Sequence, residues 1–234
     1  MRSEYVHHRL WYEAVAELLS PTRCAGCDTQ GELFCPACRQ SLKRDFRLSQ
    51  VCPRCAAPYG ALVCTECWET DFSFSATVAL GVLDGPLARA IVVYKDGGER
   101  RLSGIFGPPL ARRAREVWGS FGQVVTWVPA SARARARRGF DHAEQLARAF
   151  AVAYGLPARC LLSRAGARDQ RGLSRQERRG NSHMSFRCSH PVPSEVILID
   201  DVFTTGATAN AAATALRGAG ARKVRLAVLA RAWL

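Results

Sequence analysis

No apolar run in the 234-residue sequence approaches the roughly 18 residues that a membrane span requires, so no span is expected. The first ten residues, Met1 to Leu10, carry charges and two histidines and lack the apolar stretch of a secretory signal. A cytoplasmic location is the expectation. Lysine is nearly absent: only Lys43, Lys95 and Lys223 occur, so almost all of the 33 basic residues are arginines. No Gly-Lys-Ser/Thr follows a glycine-rich loop, which excludes a Walker-type nucleotide site. Also missing are a legible nucleophile with its base and a segment for recognising a nucleobase. His142 is the one candidate for acid-base work, and a lone histidine beside a loop is more often structural.

What is present begins with charge and sulfur. The net charge is +13, from 33 basic and 20 acidic residues. Such an excess favours nucleic acid, phosphate or another anionic surface as a partner, although an Arg- and Ala-rich composition also accommodates simple compositional bias. A hydrophobic content of 48% and this length suit one medium α/β domain with a small module attached.

Eight of the ten cysteines fall in CxxC pairs: Cys24/Cys27, Cys35/Cys38, Cys52/Cys55 and Cys64/Cys67. In a reducing compartment this pattern reads as metal ligation, not disulfides. One tight turn presents two thiolates to a tetrahedral ion, so four pairs supply two closed sites of four sulfurs each. Two structural Zn²⁺ ions are expected, with no open position for catalysis. Sequential pairing, a double zinc ribbon, is the simplest arrangement, and a cross-braced pairing of first with third and second with fourth stays open. Residues 21–70 have few apolar runs and need such a staple.

Before this segment, residues 1–20 read as a packing helix, with Leu10, Trp11, Ala14, Val15, Leu18 and Leu19 at helical spacing and Ser20-Pro21 ending it. After it, from about residue 75 to 234, strands and helices alternate. Strands are expected at 77–83, 124–128, 196–199 and 224–229, and helices at 110–117, 143–154 and 207–216. Residues 87–94 fit either. Alternation of this kind implies a Rossmann-like α/β fold with a mostly parallel sheet. The polar, Arg-rich stretch 163–189 is a candidate lid.

The most informative stretch is Val196 to Thr208. Its apolar start reads as a strand buried on both faces. Asp200 and Asp201 stand at the carboxyl end of that strand, where open α/β sheets bind ligands. Thr204, Thr205, Gly206, Ala207 and Thr208 follow and lead into a helix. Loop amides, hydroxyls and the helix N-terminus make an anion seat, and Gly206 permits close approach of backbone to a phosphate. Two carboxylates beside a phosphate seat make sense if they accept hydrogen bonds from sugar hydroxyls or hold Mg²⁺ through water. The chemistry therefore suits a ribose 5-phosphate.

This stretch resembles the signature of type I phosphoribosyltransferases, which bind 5-phosphoribosyl 1-diphosphate (PRPP). The resemblance implies that Asp200 and Asp201 hold ribose hydroxyls and that Thr204, Thr205, Gly206, Ala207 and Thr208 cradle the 5′-phosphate. Val128-Pro129-Ala130-Ser131, followed by Arg137-Arg138-Gly139-Phe140-Asp141-His142-Ala143-Glu144, is similar to the ComF family of competence proteins. There Val-Pro opens the diphosphate loop and Arg-Gly-Phe-Asn-Gln-Ala-Glu follows, so Asp141 and His142 stand where the family has amides. Tyr94-Lys95-Asp96-Gly97, and Gln170 to Asn181 with Phe186, resemble two further family segments, and the likeness spans essentially the whole chain.

Membership implies a diphosphate site around Pro129, Ala130 and Ser131, with Lys95, Arg133, Arg137 and Arg138 as basic candidates and Mg²⁺ accompanying PRPP. It also implies a role in natural transformation, with single-stranded DNA as a partner and DNA-uptake or recombination proteins as further ones. Trp68, Phe72, Phe74 and Phe140 are candidate stacking platforms, each more at home in a core than on a platform. Two other readings stay open: an active phosphoribosyltransferase of nucleotide salvage or modification, and a PRPP-sensing regulator without turnover.

Overall fold

The computed structural model describes residues 21–45, 50–58, 60–164, 186–188 and 191–232. The helix expected over 1–20 and the Gln170 to Asn181 segment lie outside the described residues, as does most of the candidate lid. In chain order the first elements are α1 (Pro36–Asp45), α2 (Thr65–Glu69), β1 (Ala76–Val82), α3 (Gly85–Lys95), α4 (Leu102–Trp118) and β2 (Val124–Trp127). They are followed by α5 (Ala132–Arg138), α6 (His142–Tyr154), β3 (Leu162–Arg164), β4 (Phe186–Cys188), β5 (Glu195–Phe203), α7 (Ala207–Gly218) and β6 (Lys223–Arg231).

Four strands form one parallel sheet in the order β1-β6-β5-β2. The central strands β5 and β6 are aliphatic over 196–199 and 226–230, as strands covered on both faces must be. Val196, Ile197, Leu198 and Ile199 are all fully buried. Alternate residues divide two core layers. Ile197, Ile199, Ala227 and Leu229 face α3, α4 and α6, whereas Val196, Leu198, Leu226 and Val228 face α7 and the small β3-β4 pair. The 87–94 stretch, ambiguous by periodicity, is helical. Asp84 caps it by accepting a 2.7 Å hydrogen bond from the Gly85 amide, and a proline stands in the first turn.

The strand expected to end at Ile199 continues to Phe203, so Asp200 and Asp201 belong to the ladder itself and Phe203 pairs with Arg231. Helix α4 likewise starts eight residues earlier than expected and runs through Pro108 and Pro109. Prolines inside a helix cost about 3 kcal/mol or more. The offset here is burial of Leu102, Phe106, Leu110 and Ala114 on one face and close packing on α6. A Cβ at Gly107 would stand 2.6 Å from the Ala149 Cβ, so only glycine admits this helix crossing. Gly107→Val is expected to destabilise the fold by about 1–3 kcal/mol through overpacking. The check is a lower urea midpoint at unchanged slope.

The cysteine-rich segment straddles the β1 edge, with one half on each layer. Cys24, Phe34 and Cys38 join the core of the α3-α4-α6 face, while Cys52, Cys55, Cys67 and Phe74 join that of the α7 face. The Thr77 amide donates to the Pro53 carbonyl at 3.2 Å and the Thr77 hydroxyl to that of Arg54 at 2.6 Å. An otherwise open sheet edge is thereby covered.

Candidate functional site

Because side chains alternate across a strand, adjacent Asp200 and Asp201 must face opposite layers. Asp201 turns toward α3 and α6 and is 7% exposed. Its Oδ2 accepts from Lys95 Nζ at 2.5 Å and from His142 Nε2 at 2.7 Å, and its Oδ1 accepts from the Val202 amide at 2.6 Å. Asp200 is half-buried on the other side, with its Oδ1 accepting from the Asp201 amide at 2.9 Å. Burial, and then the like charge of Asp201, push Asp200 well above the usual carboxylate range, against the pull of Lys95 and Arg164. Burial would raise Asp201 too, but the His142 hydrogen bond and the Lys95 charge outweigh it and hold that carboxyl well below the range. Of the pair, Asp201 is the permanent anion and Asp200 the readier proton acceptor.

His142 is fixed from two sides. Arg138 Nη1 lies 3.2 Å from its Nδ1, and a guanidinium can only donate, so Nδ1 accepts and Nε2 carries the hydrogen directed at Asp201. The ring is therefore held in one orientation, and Tyr94 OH donates to the His142 carbonyl at 2.5 Å. Arg137 and Arg138 both reach Asp96 Oδ1 at 3.1 Å. A chain of partners thus runs from Asp96 through Arg138 and His142 to Asp201 and Lys95. Beside it lies an open cavity of about 460 Å³ lined by Lys95, Asp96, Gly97, Gly98, Arg137 and Arg138, whose cationic lining suits an anionic group.

Pro129, Ala130 and Ser131 leave β2 at the same edge of the sheet. Asp141 organises them. Its Oδ1 caps α6 by accepting from the Ala143 and Glu144 amides, and its Oδ2 accepts from the Ala130 amide at 2.8 Å. An asparagine has only one acceptor oxygen for these three donors, which gives the Asn-to-Asp departure a structural use. The Ser131 hydroxyl caps α5, accepting from the Ala134 amide at 3.2 Å. Arg133 and Arg137 are exposed on α5.

The loop after β5 closes the arrangement. Thr204, Thr205 and Ala207 are exposed and Thr208 half-buried, and Gly206 is the N-cap of α7 at φ +78°. A side chain at Gly206 would be strained by that φ and would meet the Phe203 ring at 2.6 Å and Phe72 at 3.0 Å. Asp200, Lys95, the 129–131 loop, Arg137 and the 204–208 loop therefore all border the carboxyl edge of one parallel sheet.

A phosphoribosyl transferase domain model matches residues 136–232, from α5 to the end of β6. Competence protein ComFC of Streptococcus pneumoniae is 27% identical over 213 residues, covering 89% of this chain and 87% of that protein. Competence protein F of Haemophilus influenzae is 26% identical over 221 residues, with 89% and 90% covered, and the DNA utilization protein YhgH of Salmonella typhi is 25% identical over 207 residues, with 85% and 90% covered. Over most of its length the chain is similar to these competence and DNA-utilization proteins. Its α/β domain has the type I phosphoribosyltransferase fold.

In this chain the sulfurs assemble sequentially: Cys24, Cys27, Cys35 and Cys38 form one group and Cys52, Cys55, Cys64 and Cys67 the other, each within 4.8 Å. The cross-braced alternative does not form. Cys24–Cys38, Cys27–Cys35 and Cys55–Cys64 sulfurs are 3.6 Å apart, too far for disulfides and close to the ~3.8 Å edge of a tetrahedron with 2.3 Å Zn–S arms. The second pair of each group opens a helix, α1 or α2. Amides of Gly26 and Cys35 donate to Cys24 Sγ and that of Cys64 to Cys52 Sγ, favouring thiolates. The donor sets fit two structural zinc ions with no catalytic position left.

Among the described residues no helix is long and apolar enough to cross a membrane. Phe74 and Phe140 are core side chains, Phe72 is half-buried, and Trp68 stands 81% exposed on α2. Two residues of the site escaped sequence reading. Arg164 donates to the Pro129 carbonyl at 2.7 Å and acts electrostatically on Asp200. Arg231, 7% exposed, donates to the Phe203 and Thr204 carbonyls at 3.3 and 2.6 Å. The available signal for Arg231 is a charge that ends the apolar run 226–230.

Proposed function

We propose that the protein binds PRPP with Mg²⁺ at the carboxyl edge of its sheet and serves natural transformation in the cytoplasm, handling single-stranded DNA beside DNA-uptake or recombination proteins. The observation that carries the reading is the convergence of a half-buried carboxylate, Asp200, a Gly206 phosphate loop and a Lys95/Arg137/Arg138 cradle on one rim. The 204–208 loop takes the 5′-phosphate, Asp200 a ribose hydroxyl, and the cationic cavity with the 129–131 loop the diphosphate. Mg²⁺, when bound, neutralises diphosphate charge. Asp201 already holds Lys95 and His142, so it reaches a ribose hydroxyl once Lys95 turns to the diphosphate.

The DNA half of the reading draws on the family relatives, two named for competence and one for DNA utilization, and on the +13 net charge. Arg133, Arg135 and Arg137, exposed along α5, offer phosphate contacts. Fluorescence anisotropy with a labelled single-stranded oligonucleotide tests it. Affinity is expected to fall steeply between 50 and 200 mM salt, by about 20-fold if three phosphates are contacted and about 10² if five are. Salt-insensitive or absent binding contradicts the DNA role without touching the PRPP site.

A further inference from the structure

The phosphate loop is held from behind by residues of the second cysteine group. Arg231 ends β6 and is more than nine-tenths buried. Its Nη1 donates to the carbonyls of Phe203, Thr204 and Ala232, while its guanidinium lies 4.6 Å over the Phe203 ring. Its other terminal nitrogen faces Glu66 Oε2 at 3.4 Å, and Glu66 stands between the ligand-forming Cys64 and Cys67.

A second link leaves the same group. Phe72 and Phe74, just past Cys67, stack at 4.7 Å and both meet Phe203 edge-on at 6.0 Å. The Phe72 ring fills the space where a Gly206 side chain would project. Between them, the Ser73 amide donates to Asn210 Oδ1 at 2.7 Å and the Ser73 hydroxyl bonds that of Thr214 at 2.7 Å, both on α7. The start of the group is anchored as well: Arg54, between Cys52 and Cys55, donates to the Cys67 carbonyl at 2.9 Å, and the Pro53 and Arg54 carbonyls are bonded by Thr77 on β1. The first cysteine group, on the other layer, makes no such contact with the loop among the described residues.

We infer that Arg231, with Phe72, is a positioning residue that ties the 203–206 backbone to the second cysteine group, so that this group sets the shape of the phosphate seat. The carbonyls Arg231 binds are those of the two residues entering the loop. Fixing them turns the following amides outward, and Phe72 holds Gly206 in its left-handed conformation. Planarity matters, because a guanidinium serves several carbonyls and an aromatic face together and an ammonium cannot. For its ligand the inference rests on the reading of 204–208 as a phosphate seat, but the mechanical link can be measured without any ligand.

The test is amide hydrogen exchange on the full zinc-loaded chain, compared for the parent, Arg231→Gln, Arg231→Lys and Phe72→Ala, with zinc content measured in each. The expected result is exchange about tenfold or more faster at residues 203–208 in Arg231→Gln and Phe72→Ala, with β5 residues 196–199 and zinc content unchanged. Arg231→Lys recovers only part. Ribose 5-phosphate affinity falls about tenfold in the same two variants. Should Arg231→Gln not fold, Phe72→Ala and the exposed-site variant Glu66→Ala decide the matter. Unchanged loop exchange overturns the inference. Faster loop exchange in a protein whose parent binds no ribose 5-phosphate upholds the link and refutes the phosphate seat.

Discussion

Stripping zinc is expected to unfold residues 21–70 and to loosen both layers of the sheet. The reason is where the ligands sit. Cys24, Cys38, Cys52, Cys55 and Cys67 are each no more than 3% exposed and are core residues as well as ligands. The segment contributes few other large apolar groups, Phe34 being one of them. Four thiolates crowded within 4.8 Å repel one another once the ion leaves, so the empty site must protonate or open. Structural zinc in small modules contributes about 10–16 kcal/mol of apparent binding free energy at neutral pH, more than a typical domain's whole stability. A strong chelator should therefore abolish the cooperative thermal transition or lower its midpoint by tens of degrees, and readded zinc should restore it. Acidification should also release zinc, because protons compete for the thiolates. Identical melting with and without chelator, after zinc loss has been verified, contradicts this account.

The second large effect is expected at Asp201. Asn in its place leaves the Lys95 ammonium and the Arg138-backed His142 facing a neutral amide in a pocket where Asp201 is 7% and His142 7% exposed. Removing one partner of a buried pair costs about 3–5 kcal/mol. The lower end applies here, because the Lys95 side chain keeps 25% of its exposure and can turn to water. The sign with pH follows from the folded carboxyl being held below its unfolded value near 3.9. Its stabilisation is complete above that value and is lost as pH falls from about 4 toward the lower folded value. The parent should thus lose stability more steeply than Asp201→Asn on acidification through that window. Removing the Asp201 charge should also let Asp200 titrate lower, although burial, the larger cause of its elevation, remains. Denaturant titrations across pH, with carboxyl NMR for Asp200, check both points. Equal stability of parent and variant at pH 7 would show that the Lys95–Asp201–His142 cluster holds nothing together.

The aliphatic run at 196–199 announces a central parallel strand, and the acids after it announce the carboxyl edge on which the candidate site lies, because local composition alone dictates both. The CxxC spacing announced two four-sulfur sites but not their pairing, since spacing is blind to which turns meet in space. The sequential answer depends on the two groups lying on opposite faces of the β1 edge. Helix α4 was cut short in the sequence reading because Pro108 and Pro109 are local breakers, whereas the contact of Gly107 with Ala149 that sustains the helix is tertiary. His142 read as an isolated histidine for the same reason: Arg138 is a local neighbour, but Asp201 is 59 residues away in sequence and adjacent only through the fold. Arg164 leaves no mark in the sequence because it binds the Pro129 carbonyl, and the role of Arg231 is hidden because the carbonyls of Phe203 and Thr204 and the side chain of Glu66 meet it only through the fold.

Isothermal titration calorimetry of magnesium-loaded PRPP against the zinc-replete protein tests the central claim most directly. The account predicts a saturable heat of one site per chain in the parent. It predicts that heat to be abolished by Gly206→Val, where the left-handed φ and the 2.6 Å approach of Phe203 forbid a side chain, and strongly reduced by Asp200→Asn. No heat from the folded, zinc-loaded parent, or undiminished heat from Gly206→Val, would contradict it.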